Sequence, residues 1–283
     1  MKTSSPDAIL LNLAHLRITG PDAERYLNGQ VTQNLSNVTD GKTCYSFVCD
    51  VKGRIIFDAY ITRQGDDFLL NAPLTIRDEV IARLDRYLIA DDCELIDESD
   101  KWAVAHSFLS PTDQEETGTV NRFGQLGRDR YLPKEEALKL IPNEDEESLN
   151  NRRIAFGIPS LAEIKEIFPA ESGREQDAVS FHKGCYLGQE VISRMKRAGR
   201  TNRSLISLTV SHSDAQLPLH FVQEEGGKPL LELTSISSHA NLDDHYPALG
   251  LISRKADLTG NFTCPEAPEL QVTGTLVTEE PSE

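Results

Sequence analysis

The sequence predicts an α+β protein built from antiparallel strands and a few helices. Three observations predict this class: one helical segment comes early, several strand-like runs separated by turns follow it, and a second helical segment comes next. This order is typical of ferredoxin-like units, and the chain has room for two of them. A parallel sheet of βαβ repeats would alternate strands and helices one by one, and this sequence does not.

The elements up to Phe108 follow from apolar runs and turn residues. The run at 9–16 with Ile18 predicts a strand, and Pro21 near a first helical position predicts a helix that ends near Gly29. Thr75 is expected to cap a second helix running to about residue 89, because apolar residues recur there with a helical period. The remaining runs predict strands at 45–49, 55–62, 68–71, 93–96 and 102–108.

The rest of the chain is richer in polar segments. An acidic loop is expected at 111–118 and a short helix at 133–140. A longer helix is expected to begin with the acidic residues 144–147, which favour the positive end of the helix dipole, and to stop at Gly157. Short strands are expected at 204–210, 229–235 and 248–252.

The change to short strands predicts a domain boundary near residue 200. We expect one α+β region at 1–200 and a small all-β domain at 201–283. The last stretch, 264–283, combines prolines with acidic residues and is expected to be loosely ordered.

The charge of the chain is unevenly distributed. The 283 residues carry a formal charge of −16, from 45 acidic and 29 basic side chains. The segment from His182 to Arg203 holds six basic residues and one acidic residue, whereas the remainder carries −21. A uniformly acidic surface would repel nucleic acid and anionic membranes, so this basic segment is the place where an anionic partner could bind.

Several classes of protein are excluded or disfavoured. The start of the chain lacks an apolar signal region, and no uncharged apolar stretch is long enough to cross a membrane, so we expect a cytoplasmic protein without membrane contact. Five cysteines without a CxxC pair disfavour a disulfide framework or a zinc knuckle, and we expect no metal site within the chain. No HExxH pattern, phosphate-binding loop or dinucleotide fingerprint is present.

The segment with the most chemical information is Lys183-Gly184-Cys185-Tyr186-Leu187-Gly188-Gln189-Glu190. Its glycines predict a tight or exposed turn, and the pattern after it predicts a helix that stops at Gly199. Cys185 therefore precedes a helix N-terminus and lies two positions from Lys183, and both features stabilise a thiolate. The alternative is a buried cysteine that acts as a small apolar residue. His182 is either a base for the thiol or a solvated neighbour.

The basic residues that follow are Arg194, Lys196, Arg197, Arg200 and Arg203. One interpretation is a solvated helix face that balances nearby acid. The other is a site for an anionic ligand or a phosphate backbone. Tyr186 is the one aromatic residue of the segment 182–203 that stacks readily on a base, so sequence-specific RNA recognition is disfavoured.

The octapeptide at 183–190 resembles the motif of the YgfZ family, folate-binding proteins related to the aminomethyltransferase (T-protein, GcvT) of the glycine cleavage system. The resemblance covers about residues 9–203 and is most specific at the octapeptide. Other segments resemble the family in the same order along the chain, at 26–32, 49–55, 153–159 and 168–171.

The resemblance implies a three-lobed ring of two ferredoxin-like units and a C-terminal β-barrel, with tetrahydrofolate or a one-carbon derivative in the central hole. It implies a role in assembly or repair of iron–sulfur proteins, including enzymes that modify tRNA, as an accessory factor rather than a turnover enzyme. Cys185 and Lys183 would carry the chemistry, within the motif residues Gly184, Tyr186, Gly188, Gln189 and Glu190. Asp58 is a candidate for pterin contact, and Arg194 and Arg197 for the glutamate tail of folate.

Two positions depart from the aminomethyltransferases. These enzymes carry an acidic pair where this chain has Phe57 and Asp58, and an aspartate where it has Cys185. Both changes disfavour methylene transfer. Asp58 contacts either the pterin or solvent.

Three functions are therefore compared. The first is a folate-dependent iron–sulfur factor, a monomer or weak dimer in which Cys185 contacts a transient cluster shared with an apo-protein or assembly carrier, since clusters usually take four ligands. The second is a folate-dependent aminomethyl transferase. The third is a non-catalytic adaptor that binds RNA, tRNA included, or an acidic protein through the basic segment.

Overall fold

The computed structural model describes residues 8–110, 118–137, 139 and 145–273. The chain divides into two compact units, Met1–Asp145 with Gln176–Val191, and Glu146–Glu175 with Ile192–Glu283. The second unit thus includes residues 146–175, which precede the predicted boundary near 200. The division into an α+β region at 1–200 and a small all-β domain at 201–283, with the function of each, stays a prediction. Most of the expected acidic loop and the end of the expected tail lie outside the described residues.

The first unit contains nine strands and three complete helices among its described residues. In chain order these are β1 (Ile9–Leu11), β2 (Leu13–Thr19), α1 (Ala23–Gln30), β3 (Thr43–Cys49), β4 (Ile55–Gln64), β5 (Asp67–Pro73), α2 (Arg77–Asp85), β6 (Glu94–Asp97), β7 (Trp102–Phe108), β8 (Thr119–Asn121), β9 (Leu126–Pro133) and α3 (Lys134–Ala137).

The larger sheet of this unit has the strand order β3-β4-β5-β2-β6, with antiparallel pairing throughout. α1 follows β2 and α2 follows β5, so the strands other than β3 form the βαββαβ pattern of a ferredoxin-like unit. Leu16 and Ile18 of β2, Leu27 of α1 and Leu84 of α2 are fully buried and contribute to the core. The helix–strands–helix prediction is confirmed here.

α2 ends earlier than predicted. A 3₁₀ turn at Leu74–Ile76 precedes the helix, which stops at Asp85 rather than near residue 89. Ile89 is 85% exposed, so no buried contact stabilises a further helical turn.

The second sheet of the first unit has the order β1-β7-β9-β8. The predicted strand at 9–18 is in fact two strands: Leu10 pairs with Ala105 in this sheet, whereas Leu16 pairs with Leu70 in the larger one. β8 and β9 escaped prediction because β8 is very short and β9 carries charged residues at several positions.

Charges in this sheet are buried as a hydrogen-bonded group. Asp129 accepts a hydrogen bond from the Arg122 Nε at 2.7 Å, and its other oxygen lies 2.7 Å from the Nδ1 of His106. The guanidinium of Arg122 also stacks 3.8 Å from the ring centroid of Tyr60. Burial by itself would raise the pKa of Asp129, but Arg122 and His106 lower it below its ordinary value. Because its partners neutralise it, a charged residue is tolerated in the buried strand β9, although the polar composition of this segment does not predict a strand.

The second unit contains α4 (Glu146–Ala155), α5 (Leu161–Ile164) and a four-stranded antiparallel sheet. α6 (Glu175–Ala178) and α7 (Gln189–Ala198) lie where the chain passes between the units. The sheet order is β10-β13-β12-β11, with bounds Arg203–Val210, Leu219–Phe221, Leu231–Ile236 and Tyr246–Ser253 for β10 to β13. β11 was missed because it has only three residues. In the described part of the chain, no helix is long and apolar enough to cross a bilayer.

Candidate functional site

Cys185 lies on the surface of the first unit. It is the one cysteine of the five that is exposed; Cys49 and Cys264 are buried, and Cys44 and Cys93 are partly buried. All five belong to the described residues. The helix predicted after the motif is α7, which begins at Gln189. The alternative interpretation, in which Cys185 is a buried core residue, is therefore wrong.

Residues 183–187, which we call the cysteine loop, are attached at both ends to the C-terminal end of α1. The Nζ of Lys183 donates to the carbonyls of Asn28, Val31 and Gln33 at 2.8, 2.9 and 2.6 Å. The amide of Leu187 donates to the carbonyl of Gly29 at 3.2 Å. The last carbonyls of a helix have no partner within the helix, so α1 offers acceptors at this end. The loop supplies the donors, and Cys185 lies midway between them.

Two motif residues stabilise the loop from within. Tyr186 is buried, and its ring centroid lies 5.1 Å from the Nζ of Lys183, within reach of a cation–π interaction. The Nε2 of Gln189 donates to the carbonyl of Gly184 at 3.4 Å, a long hydrogen bond. The side chains flanking Cys185 in the motif therefore pack and hydrogen-bond while the cysteine stays exposed.

Gly188 is the point at which the motif meets the turn between β3 and β4. Its φ is +85°, and a Cβ at this position would lie 2.6 Å from the carbonyl oxygen of Asp50 and 3.0 Å from the Cα of Gly53. A side chain is excluded by both conformation and space. Gly184, by contrast, has nothing within 4 Å of such a Cβ. The two glycines of the motif thus have different roles.

The segment before the loop is also held by residues that follow α1. Thr32 donates from its hydroxyl to the carbonyl of Ala178 at 2.6 Å and accepts from the amide of Ser180 on its carbonyl at 3.0 Å. Gln33 donates from Nε2 to the carbonyl of Asp177 at 2.8 Å. The sequence segments near residues 30 and 185 both resembled the same family. In the fold they contact each other and form one site.

Lys183 does not direct its ammonium group as the sequence suggested. The sequence predicts that it lies beside Cys185, where it would favour the thiolate, but its hydrogen bonds are to one carbonyl in the last turn of α1 and two carbonyls just after the helix. Burial lowers the pKa of Lys183 to about 7, and the nearby Cys44 opposes this shift. Sequence analysis missed the carbonyls of Asn28, Val31 and Gln33, because main-chain acceptors leave no trace in side-chain patterns.

Asp58 lies on β4 and is half-buried. The hydroxyl of Tyr45 donates to its Oδ2 at 3.0 Å, and the Tyr45 ring packs against Phe47 and Tyr60. Phe57, at the position of the missing acid, is 1% exposed and belongs to the core. Asp58 is therefore a carboxylate beside an aromatic cluster rather than a fully solvated strand residue.

The basic residues of α7 and beyond have different surroundings. Lys196 pairs with Glu175 at 2.8 Å, and Arg203 lies 3.7 Å from Glu171. Part of the basic segment is thus balanced by nearby acid, as one interpretation of the sequence held. Arg194, Arg197 and Arg200 are exposed, and so are His182 and Glu190. Among the described residues, no three His, Cys, Asp or Glu side chains converge as metal ligands.

Comparison with known proteins agrees with this architecture. The family model of the GCVT N-terminal domain matches residues 10–106. The "tRNA-modifying protein YgfZ" of Escherichia coli O157:H7 is 28% identical over 229 residues, 69% of each chain, and the YgfZ protein of Cronobacter sakazakii is 24% identical over 260 residues, 80% of this chain and 78% of the relative.

Two further matches come from a eukaryote and from a solved structure. The "Iron-sulfur cluster assembly factor IBA57 homolog, mitochondrial" of Dictyostelium discoideum is 26% identical over 255 residues, 71% of this chain and 62% of the relative. The glycine cleavage system aminomethyltransferase T of Bartonella henselae superposes with a TM-score of 0.77 and 14% identity, over 95% of this chain and 86% of the other, which shows a shared fold. Together these matches support a YgfZ-type protein of the GcvT superfamily.

Proposed function

We propose that this protein acts in the assembly or repair of iron–sulfur proteins, including enzymes that modify tRNA, with Cys185 as the working thiol and a bound tetrahydrofolate. One observation carries the proposal: the exposed cysteine lies on a loop that is attached at both ends to the fold. The names of the YgfZ and IBA57 relatives support the same field of activity.

An exposed thiol on a fixed loop suits contact with a cluster carried by another protein. Iron–sulfur clusters are held by cysteine thiolates, usually four of them. Cys185 has no second cysteine in its motif, and no set of metal ligands converges among the described residues. We therefore propose that Cys185 provides one ligand to a cluster whose other ligands come from an apo-protein, an assembly carrier or a second copy of this chain.

The residues of the fold are compatible with a folate. Asp58 and Tyr45 provide a carboxylate and a phenol beside an aromatic cluster, groups that hydrogen-bond and stack on a flat heterocycle. Arg194 and Arg197 are exposed cations suited to the carboxylates of a glutamate tail. When bound, tetrahydrofolate would supply a carrier of one-carbon units. The three-lobed ring with a central folate hole and a C-terminal β-barrel is part of this proposal.

The second candidate, an aminomethyl transferase, is disfavoured by Phe57. This side chain is 1% exposed and packs in the core, so the strand offers one carboxylate, on Asp58, rather than two. The protein is then an accessory factor rather than a turnover enzyme. The adaptor candidate rests on the exposed arginines of α7 and requires no thiol, so one substitution separates it from the main proposal.

The decisive experiment is complementation of a deletion strain of the source organism, with activity of iron–sulfur enzymes as the readout. Cys185→Ser is expected to lower these activities to the level of the empty vector, because it removes the exposed thiol at nearly constant volume. Cys93→Ser, at a partly buried cysteine away from the motif, is the matched control and is expected to complement fully. Full complementation by Cys185→Ser would exclude a role for the thiol.

A further inference from the structure

We infer that Lys183 is a positioning residue: its ammonium group fixes the cysteine loop to the carbonyl end of α1 and so determines where the Cys185 thiol stands. The inference rests on the proposed function only in taking Cys185 as the working thiol. It differs from the sequence-based expectation that Lys183 takes part in the chemistry itself.

The first argument is the match between donors and acceptors. A lysine ammonium has three N–H donors and no acceptor. Three carbonyl oxygens, those of Asn28, Val31 and Gln33, lie within 2.6–2.9 Å of Nζ. Each proton of the group thus has a main-chain acceptor. A lysine acting as base or nucleophile needs an accessible lone pair, which this arrangement does not provide.

The second argument is the position of the acceptors: Asn28 is in the last turn of α1, Val31 follows the helix directly, and Gln33 lies two residues further on. Carbonyls at the C-terminal end of a helix carry the negative part of the helix dipole and are stabilised by a cation. α1 has no basic residue in its own last turn. Lys183, which is 155 positions from Asn28 in the sequence, supplies the missing cation from the cysteine loop. The interaction therefore stabilises the helix end and the loop together.

The third argument is that the attachment brackets the thiol. Lys183 holds one end of the loop, and the amide of Leu187 holds the other on Gly29. Only Gly184, Cys185 and Tyr186 lie between these points, and Tyr186 is buried. Gly184 has open space around it and no side chain of its own. Without the Lys183 attachment, the loop would lose the restraint on the Cys185 side, and the Leu187 hydrogen bond to Gly29 would open more often because it alone would hold the loop on α1.

The arrangement also discriminates between basic side chains. A guanidinium is planar and spreads its five donors in one plane, whereas the three carbonyls receive donors from a single nitrogen. Arginine would therefore not replace Lys183. Methionine has a similar length and would leave three carbonyls at a partly buried site without their donors, which is costly.

The test on the unaltered protein is acylation of amines by acetic anhydride, read at each lysine by mass spectrometry. Lys183 is expected to react more slowly than the exposed Lys52 and Lys101 by on the order of tenfold or more, because burial and three hydrogen bonds on Nζ outweigh the reactivity that its lowered pKa would give an accessible amine. Reaction of Lys183 at the rate of these exposed lysines, or faster, would show an accessible amine and overturn the inference. This measurement decides even where a variant fails to fold.

The second test uses Lys183→Met and Lys183→Arg, with Lys101→Met as the matched control in the same unit. Amide exchange at Leu187 and alkylation of Cys185 by iodoacetamide are read by peptide. In both Lys183 variants we expect Leu187 exchange to rise on the order of tenfold and the Cys185 rate to change, while buried Cys49 stays protected. If Cys49 is still not alkylated, the unit remains folded, and the change at Leu187 and Cys185 is due to release of the loop rather than to general unfolding.

Unchanged exchange at Leu187 and unchanged alkylation of Cys185 in Lys183→Met would overturn the inference. So would wild-type behaviour of Lys183→Arg. The proposed function can fail separately: full complementation by Cys185→Ser would exclude a working thiol, yet the acylation and exchange results would still report on the attachment of the loop.

Discussion

Gly188→Ala is the substitution that probes the site most directly without touching a reactive group. Gly188 has φ of +85°, a conformation that side-chain-bearing residues adopt at a cost, and its missing Cβ leaves room for the β3–β4 turn. That turn is fixed by Asp50, whose Oδ1 accepts from the amides of Lys52 and Arg54 at 2.8 Å each. The turn is therefore poorly able to move aside.

The magnitude follows from two contributions. The left-handed conformation costs an alanine roughly 1–2 kcal/mol. A Cβ placed 2.6 Å from the carbonyl oxygen of Asp50 and 3.0 Å from the Cα of Gly53 overpacks a fixed contact, which costs roughly 1–3 kcal/mol. We expect Gly188→Ala to lower the free energy of unfolding of the first unit by about 2–5 kcal/mol.

The assay is urea denaturation followed by the fluorescence of Trp102, the single tryptophan of the chain, which lies on β7 in the first unit. Gly184→Ala is the matched control in the same motif, because a Cβ there meets nothing within 4 Å, and it is expected to change stability by less than about 0.5 kcal/mol. Equal effects of the two substitutions, or a stability of Gly188→Ala within that small range, would refute the reasoning.

The remaining predictions concern charge. Burial, helped by nearby cations, lowers the pKa of His15 to about 4, so the folded state keeps it neutral: its contribution is complete above pH 6.5 and is lost as the pH falls towards 4, by up to about 3 kcal/mol. Trp102 fluorescence in urea at several pH values should show a flatter profile for His15→Gln, and identical profiles would contradict the assignment. In the second unit, Arg153→Met removes the cation 3.2 Å from the buried Glu163 and is expected to cost about 3 kcal/mol, measured by thermal unfolding followed by circular dichroism. The Arg25→Met control removes an exposed cation that pairs with Asp22 and Asp91 and should have a much smaller effect, so comparable losses would count against the buried-pair argument.

Much of the fold was predictable because apolar patterns follow local periodicity. The strands around Phe47, Phe57 and Phe68 were predicted close to their observed bounds, and the helix with Leu84 was predicted although it ends at Asp85, since each element buries one face against a neighbour. The α+β class and the resemblance to the YgfZ family are confirmed. The ring, the barrel, the bound folate and the roles of the site residues stay predictions.

The misses have physical causes. β9 carries Asp129 in its interior, and a buried carboxylate is tolerable there only because Arg122 and His106 contact it from other positions of the chain. The apolar run from 9 to 18 looked like one strand, because nothing local indicates that β1 and β2 pair in different sheets. In both cases the deciding partners lie outside the segment itself.

For the site, the sequence by itself determined the motif: a cysteine between glycines, followed by a helix with a basic face. These properties depend on residue identity and local conformation, so they can be read from a single chain. Only the tertiary structure decided that Cys185 is exposed, that Gly188 lies against Asp50, and that Lys183 binds the carbonyl end of α1 instead of its cysteine neighbour. The reason is that the acceptors are main-chain oxygens, which every residue has, and the fold alone selects which of them a side chain meets.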